Sequence, residues 1–198
     1  GELIYLQRII NKYFIYEKKL EKNKLSDEIE LPNNNINQDY FKIINYHKFN
    51  EKNLTDKAPQ NFRWIGIIKL FFPNSKIIYC KRNSKDNCLS IYKNFFASDD
   101  MQWAFDEKNI ANYYNLHLNV MDYWKSKFGE EIYEINYEKL VSNKEEEIKK
   151  LIKFCDLDWD PICLNHHKNK KTPIKTVSIS QARKPVYKSS VNSNSNYE

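Results

Sequence analysis

"KIIYCKRNSKDNCLSIY", Lys76 to Tyr92, decides how this chain is read. An apolar run of β-favouring residues (Ile77, Ile78, Tyr79, Cys80) meets Arg82, and a polar turn follows. The pattern predicts a strand over 76–81 and a helix over about 85–96. A strand that hands over to a helix, with an arginine at the junction, makes a good anion site. The first helix amides point outward, the helix dipole favours negative charge, and the guanidinium offers a fork of donors suited to phosphate. If the helix starts near Ser84, Ser90 lies in its second turn and adds one more donor. The same residues also fit an Arg82 paired with a nearby carboxylate and a Ser90 satisfied by its own helix. This stretch alone leaves both readings open.

Working outward, residues 2–22 read as a helix, with Leu3, Leu6, Ile9, Ile10 and Phe14 near helical spacing. "LPNNNINQ" is a polar loop over 31–38, and a second helix is expected over 39–49. "NLTDKAPQNF" is a short extended piece that turns at Pro59, and "FRWIGIIKLFF" is a largely buried helix ended by Pro73. Beyond the opening motif, "AFDEKNIANYYNLHLNVMDYWKSKF" is a long helix. Its inner side carries Ile110, Tyr113, Tyr114, His117, Val120, Met121, Trp124 and Phe128, and Gly129 stops it. "EIYEINY" is a second strand. "NKEEEIKKLIKFCDLDW" is a helix whose acidic first turn and later lysines suit its dipole. From about residue 172 the chain is polar, with Pro173 and Pro185, and reads as a long loop without internal repeats. Strands alternating with long helices imply an α/β domain with a mainly parallel sheet, whose ligands sit beyond the carboxyl ends of the strands. Arg82 lies at such an end.

The chain has 198 residues, enough for one domain over 1–198 with a proper core. An apolar fraction of 41%, with 15% aromatic, fits a folded protein. No run is long and apolar enough for a membrane span, and no signal peptide is visible. The net charge of +6 argues only weakly for a polyanionic partner. The abundance of Lys, Asn, Ile and Tyr is what an AT-rich genome would give. Cysteines stand at 80, 88, 155 and 163 with no CxxC pair. Cys155, Cys163, His166 and His167 match no usual zinc spacing, so buried free thiols in a reducing, cytoplasmic compartment are expected and no metal is.

"TDKAPQNFRWIGIIKLFFPNSKIIYCKRNSKDNCLSIY" resembles the sulfotransferases that use 3′-phosphoadenosine 5′-phosphosulfate (PAPS). It looks most like their bacterial branch, often fused to tetratricopeptide repeats and related to the protein-tyrosine sulfotransferases. The likeness continues through "NYEKLVSNKEEEIKKLIKFCDLDWDPICLNHHKN" and "TVSISQARKPVYKSSVNSNSNYE", nearly to the end of the chain. It implies a P-loop-NTPase-like α/β fold with a mainly parallel central sheet flanked by helices. It also implies sulfuryl transfer from PAPS to an acceptor hydroxyl on a peptide tyrosine, a glycan or a small molecule, leaving 3′,5′-ADP. By the same resemblance Arg82 and Ser90 match the pair that holds the donor's 3′-phosphate, and Tyr137 a tyrosine that contacts the nucleotide. Lys57 matches a lysine near the transferring group, Glu2 the glutamate that acts as base, and Ser178 a serine near the leaving phosphate. The chemistry agrees. An in-line transfer through a loose transition state needs position and positive potential more than covalent help, and no metal.

Two departures stand out. The family's glycine-containing loop of the type PRSGTT, which wraps the 5′-phosphosulfate, is absent before "GEL". The three glycines, Gly1, Gly66 and Gly129, cannot build one. The expectation is a chain truncated at its amino end, with first strand and loop missing. A gap in the sheet would then favour self-association through the exposed edge. At the other end, "SVNSNSNYE" carries serines and asparagines where the family tends to have a basic residue and a tryptophan. The stretch around 97–109 is expected on the acceptor side. The competing readings are a nucleotide kinase, whose Walker lysine loop is not visible; a basic nucleic-acid-binding module, for which no recognition motif is found; and a non-catalytic nucleotide- or partner-binding remnant of the same fold.

Overall fold

The computed structural model describes residues 3, 5–16, 36–46, 52–96, 99–168 and 184–197. The chain divides into two compact units, Gly1–Ser75 and Lys76–Glu198.

In the first unit, α1 (Tyr5–Ile10) runs on as π-helical turns over Asn11–Tyr16, and α2 is Ile36–Tyr46. Leu6, Ile9 and Ile10 recur at helical spacing on α1, and Ile36, Tyr40 and Ile44 recur every four residues on α2. Each set therefore shares a face. The six form one buried cluster, with Ile10 and Ile36 fully sequestered. Burying each such side chain contributes about 2 kcal/mol. Helix α2 begins at Ile36 rather than 39. The polar run expected to be loop contains Ile36, and its burial pulls residues 36–38 into the helix. Residues 17–22 and 47–49, also expected helical, lie outside the described residues.

Asp39 in the first turn of α2 accepts from the Tyr13 hydroxyl at 2.6 Å and the Lys12 ammonium at 3.1 Å. These bonds hold its carboxyl at a pKa of about 2. The Tyr40 hydroxyl donates to Asp56 Oδ2 at 2.8 Å, tying α2 to the extended segment before Pro59. Pro59 opens a 3-10 helix, Pro59–Trp64, whose missing N–H costs nothing at that position, and α3 (Ile65–Phe71) follows. Only Ile65 of α3 is buried; Ile67, Ile68 and Phe71 pack partly against the cluster, and Leu70 is half exposed. The expected largely buried helix is thus covered on one side. Lys69 interrupts its apolar sequence, and one face suffices for the cluster.

In the second unit, β1 (Ile77–Lys81) pairs in parallel with β2 (Ile132–Asn136), from Ile77 opposite Ile132 to Lys81 opposite Asn136. Between them lie α4 (Ser84–Tyr92), a 3-10 stretch (Asp99–Phe105) and α5 (Glu107–Phe128). A parallel pair requires such a crossover. Asp106 caps α5 by accepting from the Asn109 N–H, and Gly129 ends it at φ 48°, a conformation that favours glycine. All eight residues expected on the inner side of α5 are buried or half-buried. Tyr79 meets His117 of α5 edge-on at 5.5 Å, while Tyr133 meets Phe154 of α7 (Lys144–Phe154) at 5.0 Å. Tyr79 pairs with Glu134, the neighbour of Tyr133, so the two aromatics point to opposite faces and helices approach both. A short helix, α6 (Tyr137–Ser142), follows β2 directly.

Helix α4 stops at Tyr92, four residues before the expected end. Cover on the α7 side is incomplete: Ile78 is 39% exposed, and Cys80 is exposed. All four cysteines are free, but none is buried as expected; the other three are half-buried. Among the described residues, no helix is long and apolar enough to cross a membrane.

Candidate anion site at the strand ends

The carboxyl ends of β1 and β2 lie side by side, and each delivers an asparagine that starts a helix. Asn83 Oδ1 accepts from the Asp86 N–H at 3.1 Å to cap α4, and Asn136 Oδ1 accepts from the Lys139 N–H at 2.9 Å to cap α6. An open cavity of about 420 Å³ lies there. Lys81, Arg82 and Asn136 line it from the strand ends, and Asn83 and Ser84 from the start of α4. Glu138, Tyr114 of α5 and Asn192 of the C-terminal segment complete it.

Arg82 is the best-held cation of this site. Its guanidinium lies over the Tyr137 ring at 5.4 Å, and its Nη2 donates to the Ser190 carbonyl at 2.5 Å. The same Nη2 stands 3.9 Å from Asp86 Oδ2, a long ion pair. Its Nε is buried without a hydrogen-bond partner. A buried guanidinium N–H left open is costly, and such groups are found where an anion or a water belongs. Lys81 is engaged by Glu134 at 3.4 Å, so it adds less free charge to the cavity. Tyr137 opens α6 instead of ending the strand. Its hydroxyl donates to the Tyr187 carbonyl at 3.1 Å, and burial, with Tyr187 nearby, raises its pKa.

Asp86 is fully buried, alone in this among the charged side chains of the described residues. Its Oδ2 accepts from the Asn192 N–H at 2.8 Å; its Oδ1 accepts from the Ser193 hydroxyl at 3.0 Å and the Asn194 N–H at 2.9 Å. Burial pushes this carboxyl up. The three donors, together with the charge of Arg82, overcome that push, and the pKa lies below its ordinary value.

Of the residues expected at a site, the structure brings Arg82 and Tyr137 together. Ser90 is half-buried in the second turn of α4, as expected, but does not line the cavity. Four residues beyond Asp86, it shares the helix face to which the C-terminal segment is bound. Lys57 belongs to the first unit, exposed in the extended segment before Pro59. Glu2 and Ser178 fall outside the described residues.

Sequence reasoning missed Asn83, Asp86, Asn136, Glu138 and Asn192. One signal was present for two of them. "NSKD" at 83–86 has the spacing of a capping box, which marks Asn83 as a helix start and Asp86 as its third residue.

A family model described as "Sulfotransferase family" matches residues 6–161. An "Uncharacterized protein" of Aquifex aeolicus (strain VF5) is 42% identical over 147 residues, 73% of this chain and 19% of that protein. A "Protein-tyrosine sulfotransferase" of Drosophila melanogaster is 26% identical over 164 residues, 79% of this chain and 33% of that protein. The chain therefore spans a third or less of the length of these two curated relatives.

Proposed function

We propose that this chain, which belongs to the sulfotransferase family and has its P-loop-like α/β fold, contributes the 3′-phosphate half of a PAPS site to the transfer of a sulfuryl group onto an acceptor hydroxyl. The observation that carries this reading is Arg82: a guanidinium just past the end of β1, over the Tyr137 ring, with a buried Nε still open to an acceptor. A phosphate is the acceptor that such a fork suits best. Bound there, PAPS would supply an activated sulfuryl group and a 3′,5′-ADP leaving group.

The chain's own residues take the roles that the resemblance gives them. Arg82 and Tyr137 hold and orient the nucleotide, and Ser90 adds a hydroxyl donor from the second turn of α4. Lys57 neutralises charge growing on the leaving phosphate, with Ser178 as a further donor near it. Glu2 takes the proton of the acceptor hydroxyl. The acceptor is a peptide tyrosine or a glycan; the name of the Drosophila relative favours the first. The scheme requires no metal.

Calorimetric titration with 3′,5′-ADP and 5′-AMP tests the donor side. The expected result is a clear preference for 3′,5′-ADP that falls roughly 30-fold in Arg82→Ala, the usual worth of a charge-assisted contact, while 5′-AMP binding stays the same. Equal affinity for the two nucleotides would sink the proposal. On the acceptor side, the protein is expected to turn PAPS into 3′,5′-ADP, with the sulfuryl group carried onto the acceptor oxygen, only when a hydroxyl acceptor is present. Turnover with neither a tyrosine peptide nor a glycan would remove that part.

A further inference from the structure

We infer that Asp86 is a positioning residue whose buried carboxylate latches the C-terminal segment 190–194 onto α4 and so sets the orientation of Arg82 and one wall of the anion cavity. This rests on the reading of Arg82 given above.

The argument begins with what an acidic third residue of a helix ordinarily does. In a capping box, its side chain turns back to accept the N–H of the capping residue. Here half of that box is made, since the Asp86 N–H donates to Asn83 Oδ1. The other half is not. The Asn83 N–H donates to Glu138 Oε1 at 2.8 Å, from a different helix. Glu138 thereby relieves Asp86 of its local duty, and the Asp86 carboxylate faces the chain some hundred residues later.

A carboxylate with no solvent exposure is tolerated only if its oxygens are well supplied with donors. Asn192, Ser193 and Asn194 supply three, two of them backbone N–H groups that fix the path of the main chain. Asn192 is held at φ 56°, a left-handed conformation that asparagine accepts more readily than most residues. With that path fixed, Ser190 presents its carbonyl to Arg82 Nη2 and Asn192 reaches the cavity. Tyr137, the other face of the clamp on Arg82, donates to the Tyr187 carbonyl, three residues before that segment. A guanidinium held in place on two sides loses less freedom when an anion arrives, and that is where affinity from preorganisation originates.

The full chain, Asp86→Asn, Ser193→Ala and the double variant would be compared by titration with 3′,5′-ADP and 5′-AMP and by amide hydrogen exchange. An asparagine keeps the shape but turns an amide group toward donors. In Asp86→Asn, the preference for 3′,5′-ADP is expected to fall about tenfold while 5′-AMP affinity holds. The amides of Asn192 and Asn194 are expected to lose protection. Ser193→Ala should cost about threefold alone and nothing further in the Asp86→Asn background, because the two groups act through one contact.

Unchanged protection in Asp86→Asn overturns the latch. Lost protection with unchanged preference overturns the positioning role. If Asp86→Asn does not fold, Ser193→Ala decides by the same two readouts. A full chain with no preference for 3′,5′-ADP overturns the donor reading instead, and protection of the two amides then decides the latch by itself.

Discussion

Both units bury apolar side chains, but among the described residues only the second also buries a charged one. In Gly1–Ser75 the buried cluster is aliphatic apart from Tyr40, whose hydroxyl is tied to Asp56. Its pronounced carboxylate, Asp39, serves a surface cluster with Lys12 and Tyr13. In Lys76–Glu198 a carboxylate is among the most deeply buried side chains of all, level with Met121. An apolar cluster tolerates exchange of shape, since its forces have no direction. A buried carboxylate does not, because each oxygen must find donors from stated directions. The first unit is therefore built for stability alone as far as its cluster goes, and the second has spent stability on directing one arginine.

Four substitutions and conditions would break or sharpen that contrast. The largest effect is expected from Ile10→Ala, which empties a fully buried site and should lower unfolding stability by about 3 kcal/mol in a urea titration. Asn192→Val comes next. A β-branched residue in the left-handed region should weaken docking of the C-terminal segment by about 1–2 kcal/mol, read as faster exchange of the Asn194 amide, whereas Asn192→Gly should be nearly neutral. Tyr40→Phe should cost about 1 kcal/mol in the same urea titration by leaving Asp56 Oδ2 short of a donor.

The smallest effect separates the two aspartates by acid and salt. Both carboxyls are depressed in the folded chain, so what each contributes is present above the ordinary carboxylate pKa near 3.8 and is lost as pH falls through the folded value. For Asp39 that loss is expected around pH 2 in a carboxyl-detected NMR titration. At about 1 M salt the part of this depression owed to Lys12 and Lys42 should be screened, while the part owed to the Tyr13 hydroxyl stays. Asp86 should scarcely respond. A salt response of equal size at both would erase the distinction.

Much of this architecture was legible because it rests on local pattern. The apolar stripe of α5 and its stop at Gly129 follow from spacing and from one glycine. So does the handover from β1 to α4, which needs only a β-favouring run and a polar turn. Ile36 was misread because one isoleucine among asparagines carries little periodicity; its burial is decided by α1, far away in the chain. Helix α6 was missed because six residues following a strand without a break give no period of their own. At the site, Arg82 and Tyr137 announced themselves through recognisable motifs. Asp86 and Glu138 did not, since their partners are chosen by the fold: one takes donors from the C-terminal segment, the other caps a helix to which it does not belong. Nothing in "NSKD" tells which acid will stay home.

The parallel pairing of β1 with β2 has a consequence for how the chain reaches this state. Partners such as Ile77 and Ile132 are more than fifty positions apart, and the segment that reaches Arg82 and Asp86 comes more than a hundred positions after them. Helices α4 and α5 can form within microseconds from neighbouring residues, but the strand pair must first close a long loop, and the C-terminal segment can dock only on a finished α4. The cavity is thus assembled last. A chain still being synthesised holds Arg82 with Tyr137 alone until residues 187–194 have emerged, so the anion site is complete only after that segment docks.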